Sequence, residues 1–353
     1  MEMKLLLTRL AFAFLLAASS SQAAEQKVYH ILPVGDSITE GGKTFSDYRY
    51  PLWEKLHIAG YLVEFVGSRT SDSRVGPLLH EGHGGKNPEF LAGAVGEYFR
   101  TNTADIVLIH AGHNHTNTEA PVPGIVAATE KMIRAARAAN PKVIVLVAQV
   151  IPSGKLPKYE YIPELNTELG KLAARMDSPA QPVKIVNQAD GFDWRTDTID
   201  DHVHPNARGA EKMAAKWFSA LTNLLAKPPQ TFQPRLQTYK RVNDTDLKRH
   251  IFAPTNTTSL KSYPAIIFFF GGGWSVGTPV QFYHEWAHFA AKGFVAISLD
   301  YRIAPVNHMT PIESEADGKS AIRCGRQHAA ERGVEAAGSW RSRTLRHCWR
   351  FTR

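Results

Sequence analysis

Cysteine is nearly absent. The 353 residues contain two, Cys324 and Cys348, so everything before residue 324 must fold without a disulfide. A Cys324–Cys348 bridge is permitted by an oxidising compartment but not required. Long apolar runs are missing too. Beyond the N-terminus none approaches the ~20 residues of a spanning helix. There is no internal repeat and no long low-complexity segment. A charge excess spread along the chain is missing as well, although the net charge is +8. Residues 323–353 hold eight Arg against Glu331 and Glu335, which accounts for +6 of it. The rest is close to neutral, so the charge gives no reason to expect a nucleic-acid partner. A hydrophobic content of 43% is ordinary for a globular chain.

Residues 1–24 read as a secretory signal peptide. Lys4 and Arg9 precede an apolar run, Leu10 to Ala18, and Ser21-Gln22-Ala23 fits the small-x-small cleavage rule. The run is too short for a membrane span; a retained anchor is the alternative. The expected location is therefore secreted or periplasmic, with no membrane contact after cleavage.

From Gln26 to about Ala226 strand-like and helix-like patterns alternate. Strands are predicted at Val28–Val34, Leu62–Val66, Asp105–His110, Lys142–Ala148 and Val183–Val186. Helices are predicted at Tyr50–Ala59, Pro88–Phe99, Ile125–Ala139, Ile162–Ala174 and Asn206–Leu225. Strands that are apolar throughout and separated by helices imply a parallel sheet covered on both faces. Active sites of such folds gather at the carboxyl ends of the strands. The unusual polar clusters lie there: Asp36-Ser37 after the first predicted strand, His110 to His115 after the third, and Asp200 to His204 past the fifth.

A hydroxyl becomes a useful nucleophile when a base takes its proton, an acceptor orients the base, and donors await the oxyanion. Ser37 sits in Val34-Gly-Asp-Ser-Ile-Thr-Glu-Gly41, where flanking glycines allow a sharp turn. By itself the tripeptide reads first as a helix cap. His204 follows Asp201 by three residues, so both side chains can share one side of a turn; alone they read as a solvated loop. Gly85, in Glu81-Gly-His-Gly-Gly85, and Asn114, in Gly112-His-Asn114, can join the Ser37 N–H as oxyanion donors, or be ordinary turn residues. His110, His113, His115, His202 and His204 raise a rival, since imidazoles suit zinc. Without cysteine or a dedicated carboxylate we expect no metal and no cofactor.

Taken together, the four blocks resemble the GDSL/SGNH hydrolase superfamily over about residues 27–226. The family's Ser, Gly, Asn and His fall on Ser37, Gly85, Asn114 and His204, and its Asp on Asp201. Ile31 to Glu40 and the Glu-Gly-His-Gly-Gly block look most like acetylxylan-esterase-like members. The resemblance implies a flavodoxin-like three-layer α/β/α fold, no metal, and hydrolysis of short acyl esters, often acetyl groups on carbohydrate. One position departs: the family's third block commonly reads Gly-x-Asn-Asp, and here His115 replaces the Asp that helps to hold the loop.

Lys227 to Pro234 has linker composition, and 228–238 is expected to join the 25–227 domain to a second region, 239–323. That region resembles α/β-hydrolases of the hormone-sensitive-lipase type. Phe268-Phe-Phe-Gly-Gly-Gly-Trp274 is similar to their His-Gly-Gly-Gly oxyanion loop, with Gly271 at the His position. Ser298 to Pro305 and Asp317 to Arg323 match the following strand and the helix before the nucleophile. The Gly-x-Ser-x-Gly elbow that should follow that helix never arrives. The region is expected to be a truncated, inert remnant with an unpaired strand edge and an incomplete core; a docking role on the first domain is the alternative. Residues 324–353 read as an aberrant, Arg-rich, out-of-frame tail. The whole is expected to be a secreted serine esterase acting on a small ester or acetylated carbohydrate. A general aryl or alkyl esterase and a non-catalytic carbohydrate-binding or scaffold protein are the alternatives.

Overall fold

The computed structural model describes residues 27–115, 119–228, 234–242, 245–253, 263–304, 309–327 and 342–343. The expected signal peptide and Cys348 lie outside them.

In the first domain, strands β1 (Val28–Gly35), β2 (Leu62–Phe65), β3 (Arg69–Ser71), β4 (Leu78–Gly82), β5 (Ile106–His110), β6 (Ile144–Gln149) and β7 (Val183–Asn187) form one sheet. Its order is β3-β4-β1-β5-β6-β7, with β2 also on β1. All neighbours are parallel except β3, which runs antiparallel to β4. The first half of β1 pairs with β2 at Val28–Ile31, and its end pairs with β4 at Val34 and Gly35. β3 and β4 were not expected. They are short, and Arg, Thr, Ser, His and Glu interrupt any apolar run.

The strands are apolar throughout because each buries two faces. Leu32, Val107, Ile109, Val145 and Val147 face one core, with helices α3 (Pro88–Tyr98), α4 (Pro121–Ala139) and α5 (Ile162–Met176) over it. Ile31, Ile106, Leu108, Leu146 and Ala148 face the other, under α2 (Arg49–Ile58) and α7 (Ala207–Thr222). Successive residues thus alternate between layers, giving the three-layer α/β/α domain. Two short helices, α1 (Ser37–Glu40) and α6 (Trp194–Asp197), lie at the carboxyl edge.

The second sheet has the order β12-β10-β11-β9-β8. β8 (Arg235–Val242) and β9 (Thr245–Phe252) form an antiparallel hairpin. β10 (Ala265–Phe269) and β11 (Val295–Leu299) are parallel, and β12 (Ser342–Arg343) pairs with β10. A 3-10 turn (Pro279–Phe282), α8 (Tyr283–Ala291) and α9 (Pro311–Gln327) complete the region. Three expectations change. The linker ends before Arg235, because 235–238 belong to β8. The tail contributes 324–327 to α9 and 342–343 to the sheet. β10 is paired on both sides, and Trp286, Phe269, Phe270 and Tyr283 are fully buried in a packed core. Trp53 and Ile58 of α2 pack against that core, joining the two regions.

Candidate active site

Ser37 is the first residue of α1, immediately past β1. Asp36 caps the helix, its Oδ1 accepting the Ile38 N–H at 3.0 Å. The cap and the site coincide. Gly35 permits this turn because a Cβ there would lie 2.3 Å from the His110 carbonyl oxygen and 2.3 Å from Thr39 Oγ1.

The Ser37 hydroxyl and His204 Nε2 are 2.8 Å apart, and His204 Nδ1 meets Asp201 Oδ2 at 2.5 Å. Asp201 Oδ1 also accepts the N–H groups of Val203 and His204, each at 2.9 Å. Burial pushes the Asp201 carboxyl up, but these hydrogen bonds outweigh it and hold the group below the ordinary carboxylate value. The turn is braced from outside. The His202 carbonyl accepts from Gly154 N–H and Ser153 Oγ, and Ile199 N–H donates to the His204 carbonyl. Asn206 caps α7 while its amide donates to the Thr196 and Thr198 carbonyls.

Gly85 and Asn114 line one cavity of about 640 Å³, with Lys86, Asn87, Phe90, His115 and Lys158. The Asn114 amide donates to the Lys86 carbonyl at 3.2 Å, so the two loops are tied together. Neither the Ser37 nor the Gly85 N–H has a hydrogen-bond acceptor among the described residues.

The structure adds residues the sequence did not single out. The Phe45 ring stacks on His204 with centroids 4.2 Å apart. Glu40 Oε2 accepts the Gly84 N–H at 2.6 Å and fastens the glycine loop to α1. Nothing periodic marks Phe45 in Gly-Gly-Lys-Thr-Phe, whereas Glu40 stands in the Asp-Ser-Ile-Thr-Glu block and was legible as polar. His113 is buried, its Nε2 against the Ile151 carbonyl at 2.9 Å, and its charge field reaches the buried Asp36.

Among the described residues no group of three or more His, Cys, Asp or Glu is arranged to hold a metal. The five histidines do not converge: His110 and His113 stack at 5.8 Å, His115 lies edge-on to Tyr161, His202 edge-on to Trp194, and both His204 nitrogens are engaged.

Among the described residues the second region offers no similar set. The letters Gly-x-Ser-x-Gly do occur, at Gly273 to Gly277, but in the loop after β10 rather than after α9. Ser275 there is exposed, and among the described residues its hydroxyl reaches only the Gly273 carbonyl, at 3.4 Å. The Gly277 N–H donates to the Arg74 carbonyl of the first domain, and Arg74 Nε returns a bond to the Gly277 carbonyl at 2.9 Å.

Residues 34–212 match the family model described as the GDSL-like lipase/acylhydrolase family, and residues 250–337 match the BD-FAE model, in keeping with an α/β-hydrolase-like region. No curated protein matches. Among solved structures, the chain is similar to a carbohydrate esterase family 3 protein from Talaromyces cellulolyticus. Identity is 29%, with 56% of this chain and 97% of that one covered and a TM-score of 0.49. A mutant acetyl esterase with acetate ion gives 28%, 56%, 97% and 0.49 for the same quantities. An esterase from Thermogutta terrifontis is 43% identical over 29% of this chain and 37% of that one, with a TM-score of 0.29; the chain spans little more than a third of its length.

Proposed function

The chain belongs to the GDSL-like lipase/acylhydrolase family and is a carboxylic ester hydrolase, and from that premise we propose that Ser37 is its nucleophile, with His204 as base and Asp201 as the group that orients it. The observation that carries the reading is the hydrogen-bonded line from the Ser37 hydroxyl through His204 to Asp201. Ser37 Oγ attacks the acyl carbon while its proton passes to His204 Nε2. Asp201, held ionised by its donors, steadies the imidazolium. The oxyanion is met by the N–H groups of Ser37 and Gly85 and by the Asn114 amide, of which the first two have no other acceptor among the described residues. The alcohol leaves with the proton from His204. Water then attacks the acyl-enzyme, His204 takes its proton, and the acid is released as Ser37 Oγ recovers a proton.

The substrate in this reading is a short acyl ester, chiefly O-acetyl on carbohydrate. The support is the likeness of Ile31 to Glu40 and Glu81 to Gly85 to acetylxylan-esterase-like sequences. We further propose that the protein is exported, on the strength of Lys4, Arg9, Leu10 to Ala18 and Ser21-Gln22-Ala23. N-terminal sequencing of exported protein is expected to find a start near residue 25, and an intact Met1 would speak against it.

The test is a chain-length series of p-nitrophenyl esters run beside acetylated xylan. Turnover is expected to be highest for acetate and to vanish in Ser37→Ala and His204→Ala. Unchanged turnover in either variant overturns the assignment. The second region is proposed to be catalytically inert, since the Gly277 donor of its glycine loop is bonded to Arg74.

A further inference from the structure

The cavity bounded by Gly85 and Asn114 has an uneven charge. Lys86 and Lys158, from two different loops, line its wall together with His115, and no carboxylate is among the lining residues. Its volume of about 640 Å³ falls within the ~300–1,000 Å³ of small-molecule sites. Neither ammonium meets a carboxylate among the described residues. Glu89 and Glu160 lie on the same two segments yet do not line the cavity. Instead each ammonium rests over a ring, Lys86 over Phe90 at 5.0 Å and Lys158 over Tyr159 at 5.1 Å. Both ring nitrogens of His115 are shielded from solvent without a hydrogen-bond partner among the described residues. Phe90 itself is 45% exposed, a large apolar ring offered at the same wall.

We propose that this cavity is the subsite for the alcohol part of the substrate, and that it selects an O-acylated saccharide bearing carboxylate groups, a uronate-containing oligosaccharide. The inference rests on the esterase reading above, because Gly85 and Asn114 are both oxyanion donors there and walls of this cavity. Lys86 and Lys158 supply the charge that a uronate requires, the aromatic ring supplies a face for a pyranose, and the absence of lining carboxylates removes the repulsion. Solvent-exposed cations act with modest strength and are screened by salt, so the selectivity belongs to low and moderate ionic strength.

The experiment compares acetylated xylotriose with and without a glucuronate branch, alongside p-nitrophenyl acetate. The wild-type protein is expected to favour the glucuronate-bearing ester by roughly threefold to tenfold in kcat/KM at low salt, the ratio shrinking toward unity in 0.5 M salt, about where screening reaches a few ångströms. The double variant K86Q/K158Q is expected to lose that ratio. Equal kcat/KM for the two oligosaccharides, or a preference unmoved by K86Q/K158Q, overturns the proposal. Calorimetric binding of both oligosaccharides to the Ser37→Ala protein separates the two readings. Selective binding of the acidic sugar without any turnover of p-nitrophenyl acetate by the wild type would sink the esterase mechanism and leave the subsite. Turnover without selective binding would do the reverse.

Discussion

Asp201 accepts three hydrogen bonds, from His204 Nδ1 and from the N–H groups of Val203 and His204. One carboxylate therefore sets both the ring and the turn that carries it. In Asp201→Asn an amide replaces the acceptor facing His204 Nδ1, which favours the wrong tautomer. A kcat loss on the order of 10³–10⁴ with the fold retained is expected. Steady-state kinetics on p-nitrophenyl acetate beside circular dichroism checks it, and a loss under tenfold would argue against the role given to Asp201. Much of this constellation was legible. Ser37, Asp201 and His204 stood out because polar residues interrupt an otherwise apolar pattern at strand ends. Phe45 was not legible, because stacking on His204 depends on how the loop from Gly41 to Asp47 folds back. Nor was the burial of Asp36 beside His113: burial raises the Asp36 carboxyl and lowers the His113 imidazole, and no local pattern announces either.

Among the elements, β1 and β5 meet at a point with no spare room. Gly35→Ala places a methyl against the His110 carbonyl and Thr39, and the backbone must part to admit it. A destabilisation of about 3 kcal/mol is expected in chemical denaturation. Gly85→Ala meets nothing within 4 Å and strains only a φ of +72°, so about 1 kcal/mol is expected there. Equal effects would contradict the packing described.

The ends of β4 and β5 also make a pH dependence. Burial, with His113 adding to it, drives His110 to about 3, and burial with Arg49 and Arg69 drives His80 to about 3. Folded, these rings stay neutral. The unfolded chain takes up protons below the ordinary value of 6.5, so it binds more protons between about 6.5 and 3. Stability therefore falls as pH falls through that window. Asp36, raised by burial, works in the opposite sense and blunts the effect. The unfolding midpoint is expected to drop from pH 7 to pH 5, less steeply in His110→Asn; a flat profile in the wild type contradicts the assignment. These elements divide by legibility. The five apolar strands were readable, while β3, β4 and the β8–β9 hairpin were not. Arg235 to Val242 carries a polar residue at nearly every other place, and its pairing is set by β9 rather than by its own pattern.

At the scale of the whole molecule the two regions are fastened by polar contacts beside the packing of Trp53 and Ile58, and Arg74 makes most of them. Arg74 bonds the Gly277 carbonyl and reaches Asp300 Oδ1 at 2.8 Å, while Thr278 Oγ1 meets Glu54 at 3.2 Å. Burial raises the Asp300 carboxyl and Arg74 opposes that. Arg74→Ala leaves a sheltered carboxylate unpaired. About 1–3 kcal/mol of stability is expected to be lost, discounted for the partial exposure of both groups, together with faster proteolysis near Gly277. Unaltered proteolysis would mean that the second region holds its place without Arg74. The sequence led us to expect an unpaired edge here. It could not foresee that two residues of an Arg-rich stretch would pair with β10, because such pairing leaves no periodic mark.

The central claim is that one serine, Ser37, carries the chemistry of the entire chain. A fluorophosphonate, which reacts only with an activated hydroxyl, tests it most directly by intact-mass and peptide-mass spectrometry. The expected result is one adduct per chain, on the peptide containing Ser37, and none in Ser37→Ala. No adduct, or an adduct on Ser275 or any other serine, would contradict it.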